Sequence, residues 1–188
     1  MRVLFSWIGF RDLNFIADKL KDENFDAALK KAKGSRKKLG GNISDTSDHS
    51  PIYEIIKDKI LRESKGDERQ IDKDRMNKLI LFCDLSDNKL TKGVKSYFED
   101  NVSFNGKQQD KKLFQRVEII EISLSDAHDY EAVLSAVAEQ WDIQERPQEI
   151  IPYFNLSSGT TSMKALLTVL GQAFYGDKAK FFNVDKKG

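Results

Sequence analysis

Five short apolar runs, separated by longer segments of helical pattern, constrain this chain more than any other feature of it. They lie at residues 2–8, 78–83, 117–122, 150–156 and 180–184. Each is rich in β-branched or aromatic residues, and each is too short for a core helix. The first three show little alternation of polarity, as expected of strands covered on both faces. Strands that alternate with helices predict βαβ units and right-handed crossovers. The expected fold is therefore α/β: a Rossmann-like, mostly parallel sheet with helices on both faces, in a single domain over residues 1–188.

The helical segments have their own punctuation. Ser50-Pro51 starts a helix expected over 51–64, with Ile52, Ile55, Ile56, Ile60 and Leu61 near helical spacing. Further helices are expected over 88–100, after Ser125 and Asp126, and over 161–175, where Gly176 breaks the last one. The third carries Tyr130, Val133, Leu134, Val137 and Trp141 on one face. Pro152 has no N–H to give a ladder, so it is expected near the start of its strand or at a bulge. The stretch at about 14–49 fits this scheme least. It holds the basic run Lys30, Lys31, Lys33, Arg36, Lys37 and Lys38, then Gly40-Gly41. It reads as a variable lysine-rich excursion with one short helix and a mobile glycine-rich segment.

Charge balance narrows the partners. Thirty-one basic residues face thirty acidic ones, for a net charge of +1. A globally basic nucleic-acid coat is excluded, so any anion site must be local. One cysteine, Cys83, permits no intrachain disulfide, and with two histidines the usual structural zinc set is missing. No cofactor or metal is expected. No apolar run approaches the roughly 18 residues of a membrane span. The N-terminal run turns polar at Arg11-Asp12, too early for a signal peptide. A cytoplasmic protein without a membrane partner is expected.

In an open α/β sheet, ligands bind beyond the carboxyl ends of the strands. Loops at 9–12, 84–87, 123–129 and 157–161 occupy that edge. The last is the richest: Ser157, Ser158, Thr160, Thr161 and Ser162 offer hydroxyls around Gly159, at the start of a helix. Such a loop can cradle a phosphate or ribose, and Lys164 one turn later adds positive charge. A well-capped helix accounts for the same residues without a ligand. Other site chemistries are disfavoured. Only Gly9 follows the first strand where a dinucleotide fold has Gly-x-Gly-x-x-Gly, and no phosphate-loop lysine motif exists. No histidine follows the serine loop, which disfavours a hydrolase triad. His49 and His128 read as solvated or helix-start residues and Cys83 as core. No catalytic residue is expected.

Phe154-Asn155-Leu156-Ser157-Ser158-Gly159-Thr160-Thr161-Ser162-Met163 resembles the strand–loop–helix signature of CARF domains, the CRISPR-associated Rossmann-fold sensors. It looks most like the subgroup related to the sensor domain of RNA-repair operon regulators. Val3-Leu4-Phe5-Ser6-Trp7-Ile8-Gly9 with Asp12-Leu13, Ser50-Pro51-Ile52, and Ser125 with Asp129-Tyr130-Glu131-Ala132 resemble the same family in order. Ser158 stands where relatives often have proline.

This resemblance implies a homodimer whose paired serine–glycine–threonine loops bind a cyclic oligoadenylate, tetra- or hexa-adenylate, in type III CRISPR antiviral defence. It implies that Ser157, Ser158, Gly159, Thr160, Thr161 and Lys164 receive phosphate and ribose. Trp7, Ile8, Phe10 and Met163 would wall the adenines, with Gly9, Asp12, Ser50 and Asp84 as further ligand-binding residues. It also implies a C-terminal effector domain outside this chain, and a sensor without robust activity of its own. Two alternatives stay open: a slow ring nuclease that cleaves the messenger, and a nucleic-acid-binding regulatory module that uses the lysine run.

Overall fold

Alternate residues of the first strand enter two different cores. In β1 (Arg2–Trp7), Leu4 faces one helical layer, while Val3, Phe5 and Trp7 face the other. The computed structural model describes residues 1–38, 50–55, 76–84, 87–101, 114–124, 126–140 and 150–183. After β1 come α1 (Phe10–Leu20), α2 (Glu23–Lys38) and α3 (Pro51–Ile55). β2 (Met76–Cys83) leads to α4 (Asn88–Ser96), which widens into a π-turn at Tyr97–Asn101. β3 (Phe114–Glu121), α5 (Tyr130–Gln140), β4 (Ile151–Asn155), α6 (Thr161–Tyr175), a 3₁₀ turn at Gly176–Lys178 and β5 (Lys180–Phe182) complete the order.

The five strands form one all-parallel sheet in the order β3-β2-β1-β4-β5. Phe5 lies beside Ile80 on one side and Phe154 on the other. This is the Rossmann-like α/β fold expected from the strand runs. From β1 the chain moves outward through β2 to β3, with α1 to α4 on one face. It then returns to β4 and β5 with α5 and α6 on the other face. Reversing both direction and face keeps every crossover of one hand. The reversal puts a topological switch point between β1 and β4, where a parallel sheet opens a crevice.

The two cores explain the run-like strands. Leu4, Leu79, Leu81, Cys83, Val117 and Tyr153 pack under α1, α2, α3 and α4. Phe5, Trp7, Ile80, Phe82, Ile120 and Phe154 pack under α5 and α6. Phe154 is the centre of the second layer, its ring stacked on Phe5 at 4.9 Å and on Phe181 at 5.3 Å. Pro152 is the second residue of β4, beside Val3, so it sits near the strand's start as expected. Cys83 is buried, as a core residue.

The stretch at 14–38 is corrected by the structure. One short helix was the expectation; two helices packed into the core are found. α1 buries Leu13, Phe15 and Ile16, and α2 buries Phe25, Ala28 and Leu29. Lysines hide α2 in the sequence because Lys30, Lys31 and Lys37 occupy its exposed side while few apolar residues hold the other. Phe25 lies against Gly93 of α4 so closely that a Cβ there would meet the ring at 2.3 Å. The expected mobile glycine-rich segment lies outside the described residues.

Smaller differences follow from local chemistry. The helix expected over 88–100 leaves α geometry after Ser96, and β3 begins at Phe114 rather than 117. α5 starts at Tyr130 because Asp129, not Asp126, takes the first helical N–H groups, those of Glu131 and Ala132. His128 lies in the turn before this helix. Ser125, Trp141 and the helix expected beyond Ile55 lie outside the described residues. Among the described residues, no helix is long and apolar enough to cross a membrane.

Candidate functional site

The crevice between β1 and β4 is built around a buried carboxylate. Gly9, two residues past β1, is the N-cap of α1, which places Asp12 in the first turn of that helix. Asp12 is fully buried, and its oxygens take four hydrogen bonds. One oxygen accepts from the Ser50 hydroxyl at 2.5 Å and the Ile52 N–H at 3.3 Å. The other accepts from the Gly9 N–H at 3.1 Å and the Ser158 hydroxyl at 3.0 Å. Burial pushes the Asp12 carboxyl above its ordinary value of 3.8, and bonds from Ser50, Gly9, Ile52 and Ser158 pull it down without outweighing burial. Ser50 also accepts the Tyr53 N–H at 3.2 Å, so the residue that caps α3 is tied to the carboxylate.

The serine loop on the β4 side is fixed residue by residue. Asn155 ends β4 with its side chain buried: its amide donates to the Ser6 hydroxyl at 3.0 Å, and its carbonyl takes the Ser157 N–H at 2.8 Å. This is an Asx turn, which bends the chain out of the sheet. Ser157 donates to the Asn183 side chain at 3.4 Å, and Ser158 reaches Asp12. Gly159 follows at φ +88°, where an added Cβ would meet Met163 Sδ at 3.0 Å and Trp7 Cβ at 3.2 Å. Its glycine is therefore required by the protein side of the loop. A bulkier residue at 159 disturbs the fold itself.

Thr160 is the N-cap of α6. Its hydroxyl accepts the Met163 N–H at 3.3 Å and donates to the Ala127 carbonyl. Ser162 donates to the His128 carbonyl. These two bonds lace the start of α6 to the turn before α5. Trp7 holds the same turn from below, its indole N–H donating to the Met163 carbonyl at 3.0 Å. Thr161 differs from its neighbours: it is exposed, and its hydroxyl meets no partner among the described residues. Lys164 is half-buried one turn further on.

The structure thus brings Gly9, Asp12, Ser50, Ser157, Ser158, Gly159, Thr160, Thr161 and Lys164 to one end of the sheet. Trp7, Ile8 and Met163 lie there too, but they are buried. They pack into the two cores rather than forming open walls. Phe10 is half-buried against the α1 layer. Asp84 stands at the end of β2, across β1 from the serine loop, where it accepts the Leu124 N–H at 3.1 Å. Asn155 and Ser6 were missed as residues that shape the site. An asparagine ending an apolar run just before Ser-Ser-Gly is a turn signal that points to the first of them. The carbonyls of Ala127 and His128 carry no such signal, because any residue type supplies one.

No family model matches the sequence, and no curated protein matches it. Among solved structures, the chain is similar to Enterococcus italicus Csm6 bound to cyclic hexa-2′-fluoro-hexa-dAMP, with a TM-score of 0.50 at 16% identity. The match covers 100% of this chain and 34% of that one. The likeness is one of fold. This chain therefore spans about a third of the length of the protein it resembles.

Proposed function

We propose that this chain is a CARF-type sensor that binds a cyclic oligoadenylate, tetra- or hexa-adenylate, at the β1/β4 crevice. The observation that carries this reading is the state of the 157–161 loop at the switch point. Its neighbours hold it from both sides, through Asp12 and through the Ala127 carbonyl. The exposed Thr161 hydroxyl stays at the open edge, beside the first N–H groups of α6. Helix-start N–H groups have no partner inside the helix and suit a phosphate. A fold shared with a Csm6 chain that is described with a cyclic hexanucleotide bound supports the same reading. So does the sequence resemblance to CARF domains, within the subgroup of RNA-repair operon regulators.

In this reading two copies pair so that their loops share one ring, since a twofold cleft suits a ring of even symmetry. The sensor acts in the cytoplasm in type III CRISPR defence and reports to an effector domain C-terminal to it. The test is binding to cyclic tri-, tetra- and hexa-adenylate, with sedimentation in parallel. Saturable binding of an even ring by a dimer is expected. A folded protein that binds none of the three rings overturns the reading.

A second reading rests on α2. Lys30, Lys31 and Lys37 are exposed along one helix and form no ion pair among the described residues, a surface that suits a linear nucleic-acid backbone. Because α2 also buries Phe25, Ala28 and Leu29, removing it would unfold the layer beneath. Replacing the three lysines by glutamine is the cleaner test. Salt-sensitive RNA or DNA binding that this change abolishes would favour the second reading.

A further inference from the structure

We infer that Asp12 is a positioning residue that couples the serine loop to the start of α3; its functional meaning rests on the ligand reading above. Besides the nearby Gly9 N–H on Oδ2, the two oxygens of this carboxylate reach two segments far apart in sequence. Oδ2 holds Ser158, on the loop proposed to meet the ligand. Oδ1 holds Ser50 and the Ile52 N–H, at the start of α3. Ser50 then holds the Tyr53 N–H. The chain of bonds thus runs Ser158 hydroxyl, Asp12 carboxylate, Ser50 hydroxyl, Tyr53 N–H.

The surroundings make the connection stiff. Ser158 is 4% exposed, and Asp12 and Ser50 are 0% exposed, so water cannot replace a broken bond in place. A buried donor that loses its acceptor is costly, so the loop and α3 favour moving together over separating. Among the described residues, the opposite flank of the loop has no such route. Thr160 and Ser162 bond to the carbonyls of Ala127 and His128, next to α5. A shift of Ser158 is therefore felt at Ile52 and Tyr53, and a shift of Thr160 is not.

Hydrogen exchange read at single amides tests this without any ligand. Ser158→Ala is compared with Thr160→Val, which damages the same loop on its other flank. Ser158→Ala is expected to speed exchange at Ile52 and Tyr53 by about tenfold, the scale of one lost bond to a charged group. Thr160→Val is expected to leave both amides near the wild-type rate. Equal rates at Ile52 and Tyr53 in wild type and a folded Ser158→Ala variant overturn the coupling. So does an equal rise in both variants, which would mean general loosening.

Cyclic hexa-adenylate is then added. Added protection at Ile52 and Tyr53 in wild type, lost in Ser158→Ala, supports transmission from the ligand. If the ring does not bind, yet Ser158→Ala still speeds these two amides, the sensor reading fails and the coupling stands. If the ring binds and Ile52 and Tyr53 do not respond in wild type, the coupling fails and the sensor reading stands.

Discussion

The two sides of the β1/β4 crevice handle polar groups in opposite ways. On the β1 side, one carboxylate is buried and gathers four donors from three segments. On the β4 side, hydroxyls turn outward from their own loop to neighbouring carbonyls and side chains: Ser157 to Asn183, Thr160 to Ala127, Ser162 to His128. The first arrangement is a hub whose members depend on one residue. The second is a lattice of single bonds, each replaceable alone. The lesson concerns the motif: most hydroxyls in Ser-Ser-Gly-Thr-Thr-Ser hold the loop in place, and Thr161 alone among them is exposed without a partner among the described residues.

The largest effect is expected where the hub is emptied. Asp12→Ala leaves two hydroxyls and two N–H groups without their acceptor in a buried site. A loss of about 3–5 kcal/mol in chemical unfolding is expected. A loss below about 1 kcal/mol would mean that the hub relaxes like the lattice.

Asp12→Asn sharpens the same contrast through pH. Burial raises the folded-state value above 3.8, so the folded protein holds this proton more tightly than the unfolded chain. Stability from protonating Asp12 is therefore full below the unfolded value and is lost as pH rises through the folded one. The stability gap between wild type and Asp12→Asn should be widest in acid and should narrow as pH rises. A gap that widens with rising pH contradicts the assignment.

Gly159→Val comes next. Its φ of +88° strains any L side chain, and a Cβ there would crowd Met163 and Trp7 at 3.0 to 3.2 Å. A cost of about 2–3 kcal/mol is expected by thermal unfolding. Thr160→Val loses a helix cap and one bond to a carbonyl, for about 1–2 kcal/mol. If Thr160→Val costs more than Asp12→Ala, the ranking of hub over lattice is wrong.

Legibility in the sequence followed the same division. The strands could be read because each is buried on both faces and so becomes an apolar run. The serine loop could be read as a strand-to-helix turn because a glycine among hydroxyls after an apolar run marks a turn and a helix cap. Asp12 was placed near the site, but its burial could not be read, since Ser50 and Ser158 reach it across 38 and 146 residues. The full extent of α2 was hidden for a different reason. Its helix is held by tertiary contacts such as Phe25 against Gly93, while its exposed lysines dominate the local pattern. Leu166, Leu167 and Leu170 are buried, because the second layer needs them, and Val169 is left exposed beside them.

The smallest change in stability and the most informative change in binding belong to Thr161. Thr161→Ala removes an exposed hydroxyl without a described partner, so unfolding should shift by less than about 0.5 kcal/mol. If the crevice takes a ring shared by two copies, the same change removes two contacts per complex. Calorimetric titration of cyclic hexa-adenylate into wild type and Thr161→Ala tests the central claim most directly. The account predicts one ring per two wild-type chains, and an affinity lower by at least about tenfold in the equally stable variant. Equal affinity in both proteins, or no binding by folded wild type, would contradict it.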